Sequence, residues 1–128
     1  MKLLLDTHTF IWWDSAPTNL PAKTFERLES PSNLVLLSLA SLWEIQIKSQ
    51  LGKLTLRGNL ADIVQEQQAE NSLVLLPIEF SHILELEQLP HHHKDPFDRL
   101  LIAQGRVEDA TIVSRDSIFQ SYDCQLVW

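Results

Sequence analysis

The sequence predicts an α/β sandwich built on a mainly parallel sheet of about five strands. Three observations carry this. Short apolar runs recur at residues 2–5, 34–37, 73–76, 111–114 and 125–128. Most are continuous in apolar residues, as strands covered on both faces are. Helix-length stretches separate them, at 9–16, 21–28, 38–51, 60–70, 79–87 and 97–107. Strands alternating with helices give a parallel sheet, because a parallel neighbour needs a crossover connection. A chain of 128 residues is long enough to bury one core, so the expectation is a single domain over 1–128.

The elements follow in order. The first run, KLLL, stops at Asp6, and Thr7 is a candidate cap for the helix that starts near Thr9. The second run ends where Ser38 opens the helix SLASLWEIQIKSQL. At about 100° per residue, Ala40, Trp43, Ile47 and Leu51 share one face of that helix, with Glu44 on its flank. Asp95-Pro96 is a strong helix start, an N-cap followed by proline at the first helical position. Beyond it, Asp98 falls between Leu101 and Ile102, with Gly105 on the same side and Arg99 and Arg106 opposite. The fourth run leads into Ser114-Arg115-Asp116, where Asp116 fits an Asx turn or the cap of a short helix at 117–120.

Composition narrows the function. Seventeen acids against ten bases leave a net charge of −7, which taken alone argues against nucleic-acid binding. Bound divalent cations would invert that field locally, and two of them would bring the balance to about −3. The N-terminal apolar run is too short for a signal peptide or a membrane span. A lone cysteine, Cys124, forms no internal disulfide and fits a reducing cytoplasm. No Gly-x-Gly-x-x-Gly occurs, which removes the dinucleotide fold. Asp6 is followed by Thr7 and His8 rather than a second acid, against a phosphoryl-accepting aspartate.

The placement of the acids is the most informative feature. Ligands of open parallel sheets sit beyond the carboxyl ends of the strands. Asp6 and Asp116 follow such ends, and Glu44 and Asp98 lie on inward helix flanks. A carboxylate among apolar neighbours costs several kcal/mol unless it is paired or bound to a cation, on the order of a folded domain's margin. Several acids also have a structural explanation: Lys48 pairs with Glu44 at i,i+4, and Asp95 and Asp116 cap helices, whereas a place in the first helical turn does not explain why Asp98 faces inward. Together, converging carboxylates without matching bases fit a hard cation, Mg²⁺ or Mn²⁺, and a cation among acids is suited to phosphodiester cleavage.

LLLDTHTFIWW, SLASLWEIQIK, HKDPFDRLLIAQ and VSRDSIFQSY resemble, in order, the motif blocks of PIN-domain proteins, above all the VapC-type ribonuclease toxins. The resemblance runs from residue 2 to about 122. It implies a three-layer α/β/α fold, frequent homodimers, a small antitoxin that blocks the site, and cleavage of RNA to a 5′-phosphate and a 3′-hydroxyl. It makes Asp6, Glu44, Asp98 and Asp116 the acidic, metal-holding cluster. Ser114 matches a small hydroxyl residue two positions before the last acid, and Thr7 and Ser114 become contacts behind the acids or to water. His93 fits the family-like His-x-Asp-Pro-Phe-Asp run, whereas His91 and His92 are extra polar loop residues.

Around these acids, Lys48, Arg99 and Arg115 are expected in salt bridges, with phosphate contact as the alternative. Lys53 and Arg57 are expected as solvated loop charges or part of an RNA path. Trp12, Trp13 and Trp43 are expected in the core, and at most one of them stacks a base or faces a partner. His8 is expected near the site entrance. The competing reading is a non-catalytic metal-binding or interaction module on the same scaffold. The presence of all four acids weighs against it.

Overall fold

The computed structural model describes residues 1–128. Five strands form one sheet: β1 (Lys2–Leu5), β2 (Leu34–Ser38), β3 (Val74–Leu76), β4 (Thr111–Val113) and β5 (Leu126–Val127). Every pairing is parallel, in the order β3-β2-β1-β4-β5. Six α-helices surround it: α1 (Thr7–Ser15), α2 (Ala22–Glu29), α3 (Leu39–Gln50), α4 (Leu60–Asn71), α5 (Phe80–Glu85) and α6 (Pro96–Val107). The predicted α/β sandwich is the observed one.

Alternate residues of the central strand feed two separate cores. Leu3 and Leu5 pack with Phe10, Trp13, Leu28 and Ile63 on one face of the sheet. Leu4 points the other way, to Leu101, Ile102, Ile112 and Phe119. Leu3, Leu4 and Leu5 are all completely buried, and burying each such side chain contributes about 1.5–3 kcal/mol. This is why KLLL shows no alternation: each face of β1 has a helical layer over it.

The strand order sets the site. From β1 the chain steps outward to β2 and then β3, and later returns to place β4 on the other side of β1. The connections leaving β1 and β4 therefore diverge, and such a switch point opens a crevice at the carboxyl ends of the strands.

Two local expectations are corrected. Helix α1 starts at Thr7, and Asp6 is its N-cap, accepting the Thr9 N–H at 2.8 Å. Both Asp and Thr can cap, and Thr7 is already committed to Glu44 through its hydroxyl. In α3 the buried residues are Ala40, Ser41, Glu44 and Ile45, while Trp43 is 62% and Leu51 64% exposed. A wheel gives relative angles and leaves open which arc meets the core. Here α3 is turned so that Glu44 goes in and Trp43 comes out, lying edge-on to Phe97 of α6 at 5.3 Å between ring centres. Trp13 is in the core as expected, whereas Trp12 is half-buried and faces a cleft.

Candidate functional site

A cleft of about 650 Å³ opens beyond β1 and β4. Asp6, Glu44, Asp95, Asp98 and Asp116 all line it, together with Lys48. These acids come from four places in the chain: Asp6 after β1, Glu44 in α3, Asp95 and Asp98 at the start of α6, and Asp116 after β4. Thr7 also lines the cleft, whereas Ser114 stands behind Asp6, fully buried.

Asp6 is held at both oxygens. Its Oδ1 accepts from the Thr9 N–H and its Oδ2 from the Ser114 hydroxyl at 2.5 Å. The Ser114 oxygen in turn accepts the Asp116 N–H at 3.0 Å, so one hydroxyl ties the end of β4 to the end of β1. Glu44 is held in the same way, by the Thr7 hydroxyl on Oε1 and by Lys48 at 3.2 Å on Oε2. Hydrogen bonds of this kind fix a carboxylate's direction.

Asp95 and Asp116 perform the capping expected of them. Asp95 accepts from the Phe97 and Asp98 N–H groups, and Asp116 from the Ile118 N–H. In each case the bonds fall on Oδ1, leaving Oδ2 available. Capping and cation binding are therefore compatible for both residues.

Asp98 differs from the others. Burial, helped by the negative charges of Asp95 and Glu44, lifts its carboxyl from the ordinary 3.8 to about 6 against the pull of a His93 hydrogen bond. Like charges crowded into a half-buried cleft favour a proton or a cation in their midst. The donor set, carboxylate oxygens from several rigid elements, fits a divalent cation. The tightest group of donor atoms is His93, Asp95 and Asp98, all within 4.8 Å of one another.

His93 is the residue whose part in the site sequence reasoning left unassigned. Its Nε2 meets Asp98 Oδ2 at 2.7 Å. The signal was present in the spacing, since a histidine two residues before the helix cap reaches back over the first turn. Its anchor was not legible: the His93 N–H donates to the Tyr122 hydroxyl from 29 residues away.

The expected basic contacts divide. Lys48 forms its salt bridge. Arg99 does not, donating instead to the Pro90 and Leu89 carbonyls that carry the His93 loop. Arg115 forms none either, and its guanidinium lies over the Trp12 ring, 5.5 Å from the centroid. Arg57 is neither a free loop charge nor in the cleft, because Asp14 and Glu66 hold it. His8 is exposed at the cleft's edge, as expected.

A family model described as PIN domain matches residues 3–123. No curated protein sequence matches the chain. Among solved structures, VapBC2 of Rickettsia felis, bound to a promoter DNA fragment, is similar with a TM-score of 0.75 at 16% identity. That alignment covers 99% of this chain and 98% of the other. DNA-bound VapBC of Salmonella typhimurium gives a TM-score of 0.71 at 16% identity, covering 99% and 97%. VapBC-1 of nontypeable Haemophilus influenzae gives 0.66 at 17% identity, with the same coverage.

Proposed function

The chain belongs to the PIN-domain family, and from that premise we propose that it is a divalent-cation-dependent endoribonuclease, the toxin of a toxin–antitoxin pair. The observation that carries this reading is the meeting of Asp6, Glu44, Asp98 and Asp116 in one cleft at the switch point of the sheet. These four acids are the proposed ligands of Mg²⁺ or Mn²⁺, with the free Oδ2 of Asp95 beside them. When bound, the cation supplies Lewis acidity toward water and the phosphate oxygens.

The chain's own residues do the rest. Ser114 and the Thr9 N–H keep Asp6 aimed into the cleft, so no reorientation is needed when substrate arrives. Thr7 and Lys48 do the same for Glu44. Lys48 and Arg115, both lining the cleft, attract the phosphate backbone that the acids alone would repel. Hydrolysis adds water at phosphorus and breaks the bond to the 3′-oxygen, leaving a 3′-hydroxyl and a 5′-phosphate.

The partners follow from the same premise: an RNA substrate, a small cognate antitoxin, and a second copy in a homodimer. The similarity to toxin–antitoxin complexes supports the antitoxin. The proposed setting is the cytoplasm, with residues 1–128 as one catalytic domain. No helix is long and apolar enough to cross a membrane.

The test is incubation of the purified chain with structured RNA in Mg²⁺ or Mn²⁺ and in chelator. Cleavage is expected only with the cation and is expected to vanish in Asp6→Asn and Asp98→Asn. Undiminished cleavage by those variants would sink the assignment.

A further inference from the structure

The cleft holds two kinds of donor. Around Asp6 and Glu44 the partners are hydroxyls, a backbone amide and Lys48, so the cation-facing atoms there are oxygens. Around Asp98 an imidazole joins the carboxylates. We propose that His93, with Asp95 and Asp98, forms a mixed nitrogen and oxygen site that makes this cleft prefer a first-row transition dication to Mg²⁺. The inference rests on the reading of the cleft as a cation site, and it goes beyond that reading's four acids.

Geometry is the first support. The donor atoms of the three residues lie within 4.8 Å of one another. Two ligands about 2.1 Å from one ion stand at most about 4.2 Å apart, so small side-chain rotations close the set. The imidazole and Asp98 already face each other at 2.7 Å. On binding, they give up that hydrogen bond and turn their lone pairs to one ion. Asp95 joins through Oδ2, since its capping bonds occupy Oδ1.

Construction is the second. The loop that carries His93 is tied down at several points. The His93 N–H donates to the Tyr122 hydroxyl at 2.8 Å, and Arg99 clamps the Pro90 carbonyl at 2.8 Å. Asp95 is the N-cap of α6 and Asp98 lies in its first turn, its N–H held by that cap. Donors on supported backbone present a prearranged set, the property that separates a site from a surface cluster. His91 and His92, two residues and one residue earlier, are exposed and outside the set.

Chemistry is the third. Mg²⁺ takes oxygen ligands and keeps its waters, whereas imidazole nitrogen is a better donor to transition cations, increasingly so from Mn²⁺ to Co²⁺. A nitrogen ligand therefore predicts a graded effect: little for Mg²⁺, more for Mn²⁺, most for Co²⁺.

The experiment titrates the full chain with Mg²⁺, Mn²⁺ and Co²⁺ separately by calorimetry, following Mn²⁺ also by the resonance of the free ion and Co²⁺ by its visible absorption. His93→Gln keeps a group that can hydrogen-bond Asp98 and removes the imidazole, and His93→Ala removes both. Both variants are expected to lose Co²⁺ affinity by at least the roughly 10–100-fold that removal of an outer-shell partner alone costs. The loss for Mn²⁺ is expected to be smaller and the change for Mg²⁺ under about twofold. Equal losses for all three ions, or full Co²⁺ affinity in His93→Gln, would reduce His93 to a prop for Asp98 and overturn the inference alone. A wild-type chain that binds none of the three would overturn it together with the cation-site reading. Circular dichroism of each variant secures the comparison between folded proteins.

Discussion

Ser114 donates its hydroxyl to Asp6 at 2.5 Å, joining residues 108 positions apart at the ends of adjacent strands. Removing that donor leaves a buried carboxylate oxygen unsatisfied, which costs about 1–3 kcal/mol. Ser114→Ala is expected to lower stability by that amount in urea unfolding and to lower RNA cleavage with it. Ser114→Thr keeps the hydroxyl and is expected to retain more of both.

Asp98 gives the cleft a pH signature. A carboxyl held at about 6 in the folded chain, against 3.8 ordinarily, binds its proton more tightly when folded than when unfolded. Its contribution to stability is fully present below about pH 3.8 and is lost as pH rises through about 6. In chelator, wild type is expected to lose stability relative to Asp98→Asn between pH 4 and pH 7. Parallel urea midpoints for the two proteins across that range would refute it.

Arg57 latches the segment between α3 and α4. It makes two bonds to Asp14, at 2.9 and 3.0 Å, and one to Glu66 at 2.6 Å. Arg57→Ala leaves Asp14, on the opposite helix α1, with only Gln67 as a partner. Faster amide exchange over residues 51–59 is expected, with RNA cleavage unchanged. A loss of RNA affinity without a change in exchange would restore Arg57 to an RNA path.

Gly105 is a packing position. A Cβ there would stand 3.2 and 3.3 Å from Cγ1 and Cδ1 of Ile112, which is completely buried in β4. The helix would gain about 1 kcal/mol from alanine, but overpacking a closed core costs about 1–3 kcal/mol. Gly105→Ala is expected to be mildly destabilising by thermal unfolding, and Gly105→Val severely so.

The parts of the fold that could be read in advance depend on local pattern. Residues 2–5 form a strand because a run of leucines that ends at an acid has one good structural reading. The α6 start was equally plain, since Asp95 and Pro96 each favour the position they occupy. What could not be read depends on contacts distant in sequence. The exposure of Trp43 follows from the rotation of α3 against α6, which no wheel supplies. The pairing of Arg57 with Asp14 spans 43 residues. For the candidate site, Glu44 and Asp98 stood out because each lies on an inward helix flank, and Asp6 and Asp116 because each follows the carboxyl end of a strand. His93 did not, since an exposed-looking histidine among two others gives no such signal.

The position of β1 between β2 and β4 has a consequence for synthesis. A growing chain presents Asp6 first and Glu44 soon after, but the sheet beside β1 stays open until β4 arrives. Ser114, which braces Asp6, and Asp116 come off the ribosome together with that strand's last turn. The nascent chain therefore carries an unassembled cleft for most of its translation.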